Sequence, residues 1–368
     1  MRIAVNTRFL LKNKLTGLGH FTLEVVRQLV LNHPDDTFIF LFDRPYDSSF
    51  IFAPNIKPII VHPPARATLL FTIWFEWSIP AILRSSKADV FFSPDNFLSL
   101  RTRLPTLLVI HDLAYLHTPD GFKGMQLLYY RYFMPKFARR ADRIATVSEA
   151  TRQDILQQYD IAPDKVEVVG LGLNEGFEFE GITVRQDYFV HLGTIQPRKN
   201  VIGLLRAFEL YKNRTGRLTK LKFIGGKGWN DEEFYTILDK HSYKQDVELL
   251  GYRSNEEISH ILNHASALLC VSYFEGFGMP VIEAQRCGCP VIASNTSSLP
   301  EASGGAALLV NPSDDNAIAD AMKKIMEDSL LRAELIEKGF NNIKRFSWEK
   351  TADAIYSLLQ ELYKQGVP

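Results

Sequence analysis

The sequence predicts an α/β protein built as two Rossmann-like halves, and three observations carry that reading. Short apolar runs alternate with amphipathic segments along the whole chain, the pattern of parallel strands covered by helices. Residues 174–186 hold glycines and charges without a clear period and divide those runs into two series, so the domain boundary is expected there, at about residue 178. A length of 368 residues suits two domains.

The first series opens with the strand Ile3-Ala4-Val5, then the turn Leu15–His20, then a helix with Phe21, Val25 and Leu29 on one face. Strands follow at 37–42, 59–61, 89–92, 106–110, 143–147 and 166–169, and Ser148 reads as the N-cap of the helix after it. The second series has strands at 188–192, 221–224, 247–250, 267–271, 291–293 and 308–310, with a helix over 201–211. The tail from Trp348 to about Lys364 is amphipathic, with Ala352, Ile355, Leu358, Leu359 and Leu362 apolar. Open parallel sheets bind ligands beyond the carboxyl ends of their strands. The loops to inspect are therefore those holding Gly17/Gly19, Asp95/Asn96, His111/Asp112, Ser148/Glu149, Gly193–Asn200, Gly225–Lys227, Gly251-Tyr252 and Glu275–Pro280.

Composition excludes several classes. Lys plus Arg and Asp plus Glu are both 42, so no net charge steers the chain to nucleic acid. No apolar run approaches the roughly 18–20 residues that span a bilayer, and the apolar start at Ile3 is too short for a signal peptide. The three cysteines, two of them in Cys287-Gly288-Cys289, have neither zinc nor thioredoxin spacing and read as core residues of a reducing, cytoplasmic protein.

The most informative stretch runs from Ser272 to Glu283. A buried strand leads into a loop with Gly276 and Gly278, and Pro280 then opens a short helix that Gly288 and Pro290 end. Free N–H groups and the positive end of the helix dipole make such a loop an anion site. Glu275 in the loop and Glu283 on the helix flank it, which suits a diphosphate between two sugars; the alternative is a surface loop with two solvated glutamates. Arg198 and Lys199 stand at another helix start, where they oppose its dipole by about 0.3–1 kcal/mol each unless an anion binds. His111 is placed to bond a sugar hydroxyl or carry a proton, or else to be satisfied by Asp112. Gly17-Leu18-Gly19 is either a tight turn or a backbone phosphate contact, and Gly225-Gly226-Lys227-Gly228 either a plain turn or a close approach to a nucleotide. His260 and His264 lie one turn apart with no third ligand near in sequence, so they read as helix surface. There is no Asp-x-Asp to hold a divalent ion on a diphosphate, so no metal or other cofactor is expected. Trp74, Phe75 and Trp77, with Lys123, Arg131, Lys136, Arg139, Arg140 and Arg143, suggest either a membrane-surface contact for a lipid-linked acceptor or an ordinary basic helix face.

The stretch Glu275-Gly276-Phe277-Gly278-Met279-Pro280 with Glu283 resembles the E-x7-E motif of the retaining glycosyltransferase family 4, which has the GT-B fold. Gly193–Asn200 resembles that family's G-x-x-x-P-R-K-N stretch and Ser297–Glu301 its S-S-L-P-E stretch, while His111-Asp112 and Gly17/Gly19 match N-terminal positions. The resemblance implies two Rossmann-like domains facing across a cleft: 1–178 for the acceptor, joined by a crossover helix 349–368, and 179–348 for the nucleotide-sugar donor. It implies that Glu275 binds the donor sugar and Glu283 the ribose, that Arg198 and Lys199 hold the diphosphate, and that His111 contacts the transferred sugar. Backbone groups at Gly276, Phe277 and Gly278 would contact phosphate or sugar, Gly19 the distal phosphate, and Gly17, Gly225, Gly226, Gly251 and Tyr252 would line the donor site. Thr194 stands where many relatives carry Arg, and Val271-Ser272 where many carry Pro-Ser. The P-R-K-N and S-S-L-P-E variants resemble bacterial mannosyltransferases of surface polysaccharide assembly, which implies transfer from GDP-mannose to a glycan or lipid-linked glycan on the inner face of the plasma membrane. A nucleotide-sugar epimerase on the same fold and a non-catalytic nucleotide-sugar-binding protein are the rival readings.

Overall fold

The structure is a computed structural model that describes residues 1–12, 15–122, 124–182, 184–228 and 231–366. The chain forms two compact units. The first comprises Met1–Leu113, Met125–Gly172 and Ser347–Pro368; the second comprises Ala114–Gly124 and Leu173–Phe346. The division falls after Gly172 rather than near 178, because residues 174–180 are bonded to the second unit: Asn174 to Glu283, and the Glu178 and Glu180 amides to Ser259 and Asn263.

In the first unit the strands β1 (Arg2–Asn6), β2 (Thr37–Phe42), β3 (Ile56–Ile60), β4 (Val90–Ser93), β5 (Thr106–Ile110), β6 (Arg143–Thr146) and β7 (Val166–Val168) form one parallel sheet in the order 3-2-1-4-5-6-7. Helices cover both faces, so consecutive residues such as Phe38, Ile39, Phe40 and Leu41 are all buried and the strand reads as a continuous apolar run. The final helix, Trp348–Gly366, packs on the helix Gly17–Asn32 of this unit, where the Tyr356 ring stacks on His33 and its hydroxyl donates to Asp36. Gly172 lets the chain pass Trp348, since a Cβ there would lie 2.4 Å from the Trp348 nitrogen.

The sheet of the second unit contains β8 (Tyr188–Leu192), β9 (Lys220–Ile224), β10 (Val247–Gly251), β11 (Ala267–Cys270), β12 (Val291–Ser294) and β13 (Leu308–Val310), parallel in the order 10-9-8-11-12-13. Alternate residues feed two cores. Phe189, Leu221, Leu269 and Ile292 enter one, and Val190, Leu268, Val291 and Ala293 the other. No helix among the described residues is long and apolar enough to cross a membrane.

Two expectations need correction. The helix at 68–85 contains a π-helical turn, Trp74–Ser78, which carries Trp74 and Phe75 into the core and leaves Trp77 half exposed. Trp74 and Phe75 are therefore not surface residues, and Lys123 lies outside the described residues. The first long helix also begins at Gly17, so Gly17 and Gly19 belong to its first turn rather than to a loop before it.

Candidate active site

In each sheet the strand order reverses once, and the crevice at that reversal is where open α/β sheets bind ligands. In the second unit it lies between the paired strands β8 and β11. The loop after β8 carries Arg198 and Lys199, and the loop after β11 carries Glu275. The two loops are joined by a backbone bond of 2.9 Å from the Tyr273 amide to the Arg198 carbonyl.

The three charged groups meet there. Glu275 accepts hydrogen bonds from Arg198 at 2.9 Å on one oxygen, and from Lys199 at 2.5 Å and Ser272 at 2.6 Å on the other. Burial opposes ionisation of Glu275, but the charges of Arg198 and Lys199, with the bonds from Lys199 and Ser272, outweigh it and draw the carboxyl down to about 2. The anion that relieves two cations beside a helix start is thus already present in the chain, and the cluster keeps one net positive charge. Beneath it His191, on β8, faces the Leu269 carbonyl through Nδ1 at 3.1 Å, while its buried Nε2 has no partner. Burial and the Lys199 charge lower His191 to about 4, so it is neutral.

Local sequence explains both loops. Pro197 opens a single 3-10 turn through Lys199, and Asn200 then takes a left-handed conformation, φ 55°, that asparagine tolerates well. Its side chain donates to the Pro312 carbonyl at 2.7 Å, which anchors the start of the helix Val201–Thr215. The loop after β11 is held by serines. Ser297, at φ 52°, accepts the Glu275 amide at 3.1 Å, and Ser298 lies 2.8 and 2.7 Å from the carbonyls of Glu275 and Phe277. Gly278 sits at φ 113°, where a Cβ would also lie 2.6 Å from the Leu299 side chain. The geometry at Gly278 therefore serves the protein's own packing, and the Phe277 ring is buried edge-on to Phe346. His117 stacks on Phe274, next to Glu275, with ring centroids 4.6 Å apart.

Glu283 lies on the second turn of the helix Met279–Arg286 and is buried. Burial raises it to about 7 against the opposing bond from Asn174, 2.9 Å, and the Lys199 charge. The two glutamates of the motif are thus driven apart, one firmly ionised and one balanced near neutrality.

Gly225, Gly226, Gly251 and Tyr252 cluster after β9 and β10. A Cβ on Gly225 would lie 2.2 Å from the Gly193 carbonyl oxygen, and one on Gly226 would lie 2.3 Å from the Tyr252 ring. The close approach that demands glycine at 225 is to the backbone of the neighbouring Gly193 loop, whereas the exposed tip of the Tyr252 ring beside Gly226 can move aside. Gly251 has φ 68°, its carbonyl accepts the Gly225 amide, and Tyr252 is 78% exposed.

In the first unit the strand order reverses between β1 and β4, and Arg8 and Asp95 form an ion pair of 2.5 Å just beyond those strands. Gly19 is buried, and a Cβ there would lie 2.8 Å from the Phe9 carbonyl oxygen; Gly17 faces open space. The Thr16 side chain makes no capping bond at this helix start. The ring bond of His111 runs from Nε2 to the Pro94 carbonyl at 2.8 Å rather than to Asp112, and burial lowers its pKa. His111 is therefore neutral with its proton on Nε2, and Nδ1 is an acceptor.

Ser272, Ser297, Ser298, Asn174 and His191 carry no local sequence signal of the parts they play here. The serine pair was visible as part of S-S-L-P-E, but only the fold shows that it grips the Glu275 loop. Among the described residues, the grouping of His, Cys, Asp or Glu with metal-ligand spacing is Glu180, His260 and His264, on another part of the second unit.

A family model described as Glycosyltransferase Family 4 matches residues 16–176, and one described as Glycosyl transferases group 1 matches residues 174–342. The chain is 26% identical over 360 residues to O-antigen chain mannosyltransferase B of Escherichia coli, covering 92% of this chain and 94% of that one. Sucrose-phosphate synthase from Thermosynechococcus elongatus is similar in structure, with a TM-score of 0.79 at 17% identity over 99% of each chain. The Anabaena protein HepE, solved in complex with UDP and glucose, has a TM-score of 0.74 at 15% identity over 98% of this chain and 99% of that one.

Proposed function

The chain belongs to the family 4 glycosyltransferases and has their GT-B fold, and on that premise we propose that it moves a hexose, with retention, from a nucleotide-diphosphate sugar to a hydroxyl of a cell-surface glycan acceptor. GDP-mannose is the proposed donor, a reading supported by the mannosyltransferase name of the Escherichia coli relative.

The observation that carries the proposal is the convergence of Arg198, Lys199 and Ser272 on Glu275 at the strand-order reversal. A diphosphate arriving there takes over the hydrogen bonds of the two cations. Glu275, already ionised, is then free to accept from hydroxyls of the donor sugar. Glu283 accepts from the ribose, and the small residue at Gly193, where a Cβ would meet Lys199 at 3.3 Å, leaves that lysine room to turn. Negative charge develops on the departing phosphate, and fixed donors aimed at it are worth about 3 kcal/mol each. Arg198, Lys199 and helix N-termini supply them in this reading without a divalent ion. In the first unit, the neutral His111 offers Nδ1 as an acceptor for a sugar hydroxyl. Peripheral membrane contact is proposed for the exposed apolar side chains of this unit, Leu69 and Trp77 on one helix and Met125, Leu128 and Tyr132 on another that also carries Arg131 and Lys136.

A thermal-shift panel of GDP-, UDP- and ADP-sugars tests donor choice; a ligand at about 100 times its Kd adds about 2.7 kcal/mol. Product analysis with the stabilising donor and a glycan acceptor tests the reaction. Free nucleotide with a lengthened glycan is expected. Appearance of a new nucleotide sugar, or stabilisation with no turnover across an acceptor panel, refutes transfer.

A further inference from the structure

His260 and His264 occupy the last turns of the helix Asn255–His264, with ring centroids 4.4 Å apart. The fold supplies the third group that the local sequence lacks. Residues 178–180 are laced to this helix through two of its side chains. The Glu178 amide donates to Ser259 at 3.1 Å, the Asn263 amide group donates to the Glu178 carbonyl at 2.7 Å, and the Glu180 amide donates to the Asn263 oxygen at 2.8 Å. Asn263 is fully buried, so these bonds fix the backbone of Glu180 against the helix. The Glu180 carboxylate oxygens consequently lie 3.2 and 3.3 Å from Nδ1 of His260.

His264 is pre-set as a ligand. Its Nδ1 lies 2.9 Å from the His260 carbonyl, where it donates, so the lone pair is on Nε2. A hydrogen bond from the other ring nitrogen to a carbonyl is the usual arrangement that orients a metal-binding histidine. One ligand atom from each of Glu180, His260 and His264 lies within 4.8 Å of the others.

We propose that Glu180, His260 and His264 form a binding site for one divalent transition-metal ion of the zinc class. Two imidazole nitrogens and a carboxylate oxygen suit Zn²⁺, with water completing four-fold coordination. Ligand bonds of about 2.0–2.1 Å put tetrahedral ligand atoms roughly 3.3 Å apart, so the separation must close by at most about 1.5 Å. The His260 and Glu180 side chains, 66% and 36% exposed, are free to make that movement. Binding replaces the present His260–Glu180 contact, and the neutral His260 ring then carries its one proton on Nε2 while Nδ1 binds the ion.

The site lies at the edge of the sheet where strands begin. The Gln186 amide donates to the His264 carbonyl just before β8, and His264 shortly precedes β11. Arg198 and Glu275 follow the opposite ends of those two strands. The ion is therefore not part of the donor site. It cross-links residues 178–180 to a helix of the second unit and stabilises that unit by binding only the folded state.

The test uses the full chain, untagged and stripped with chelator. Zn²⁺ titration by calorimetry, Co²⁺ absorption spectroscopy and thermal melting are measured for the wild type and for E180Q, H260A and H264A, with circular dichroism to verify folding. One ion per chain, tetrahedral Co²⁺ bands and a raised Tm are expected. Each substitution is expected to weaken binding by about tenfold or more, at least what loss of an outer-shell partner does. No saturable binding by the wild type, or binding that E180Q leaves unchanged, overturns the proposal.

Discussion

Replacing Glu283 by Gln offers a sharp test of the site's electrostatics. The substitution keeps the shape and the oxygen that accepts from Asn174 but removes the charge. Folding raises Glu283 from an ordinary 4.5 to about 7 by burial. Between those values the folded chain holds a proton that the unfolded chain has lost, so the stability from this group is complete below about 4.5 and is lost as pH rises through about 7. A difference of about 2.5 pKa units corresponds to on the order of 3 kcal/mol. Gln has no such loss. The stability of Glu283→Gln relative to wild type should therefore rise from near zero at pH 4.5 to on the order of 3 kcal/mol at pH 8, about 6–12 °C in Tm for a unit of this size. Thermal melts of both proteins across pH 4.5–8.5 provide the measurement. His191, lowered to about 4, and Glu275, lowered to about 2, titrate in both proteins and cancel in the difference. A difference that stays flat with pH, or falls, refutes the claim that burial governs Glu283.

Three further outcomes follow from the site. Lys199→Ala should lower turnover on the order of 10²–10³-fold, since Lys199 is the donor closest to Glu275 and is proposed to meet the leaving phosphate; near wild-type kcat would remove it from the mechanism. Ser298→Ala strips a shared hydroxyl from the Glu275 and Phe277 carbonyls and should destabilise the second unit by about 1–3 kcal/mol in urea unfolding. An unchanged midpoint would mean the loop holds itself. Gly278→Ala combines φ 113° with a contact of 2.6 Å to Leu299, so it should destabilise by at least about 1–3 kcal/mol and raise the donor KM. A variant with unaltered Tm and KM would show that the loop adapts.

Most strands were legible because both faces of each sheet are covered, which forces continuous apolar runs bounded by glycine and polar residues. The runs at 106–110, 188–192 and 308–310 match the observed strands residue for residue. The first helix was placed late because Gly17 and Gly19 read as a turn, whereas Gly19 is needed to admit the Phe9 carbonyl beside the helix. Of the two alternatives for the tryptophan segment, a membrane-surface contact fails for Trp74 and Phe75, because the π-helical turn buries both.

Strand order and the partners of charged side chains arise from contacts distant along the chain, which no local period encodes. That is why E-x7-E, P-R-K-N and S-S-L-P-E were recognisable in the bare sequence as belonging to one chemistry, each being a local solution to a turn and a helix start. Tertiary structure alone decided that Arg198 and Lys199 close on Glu275, that Ser297 and Ser298 brace its loop, and that Glu180 arrives beside His260. It also separated two chemically identical carboxyls. Glu275 is buried among cations and Glu283 beside a single amide, and that difference in surroundings, absent from the spacing of the motif, sets their charge.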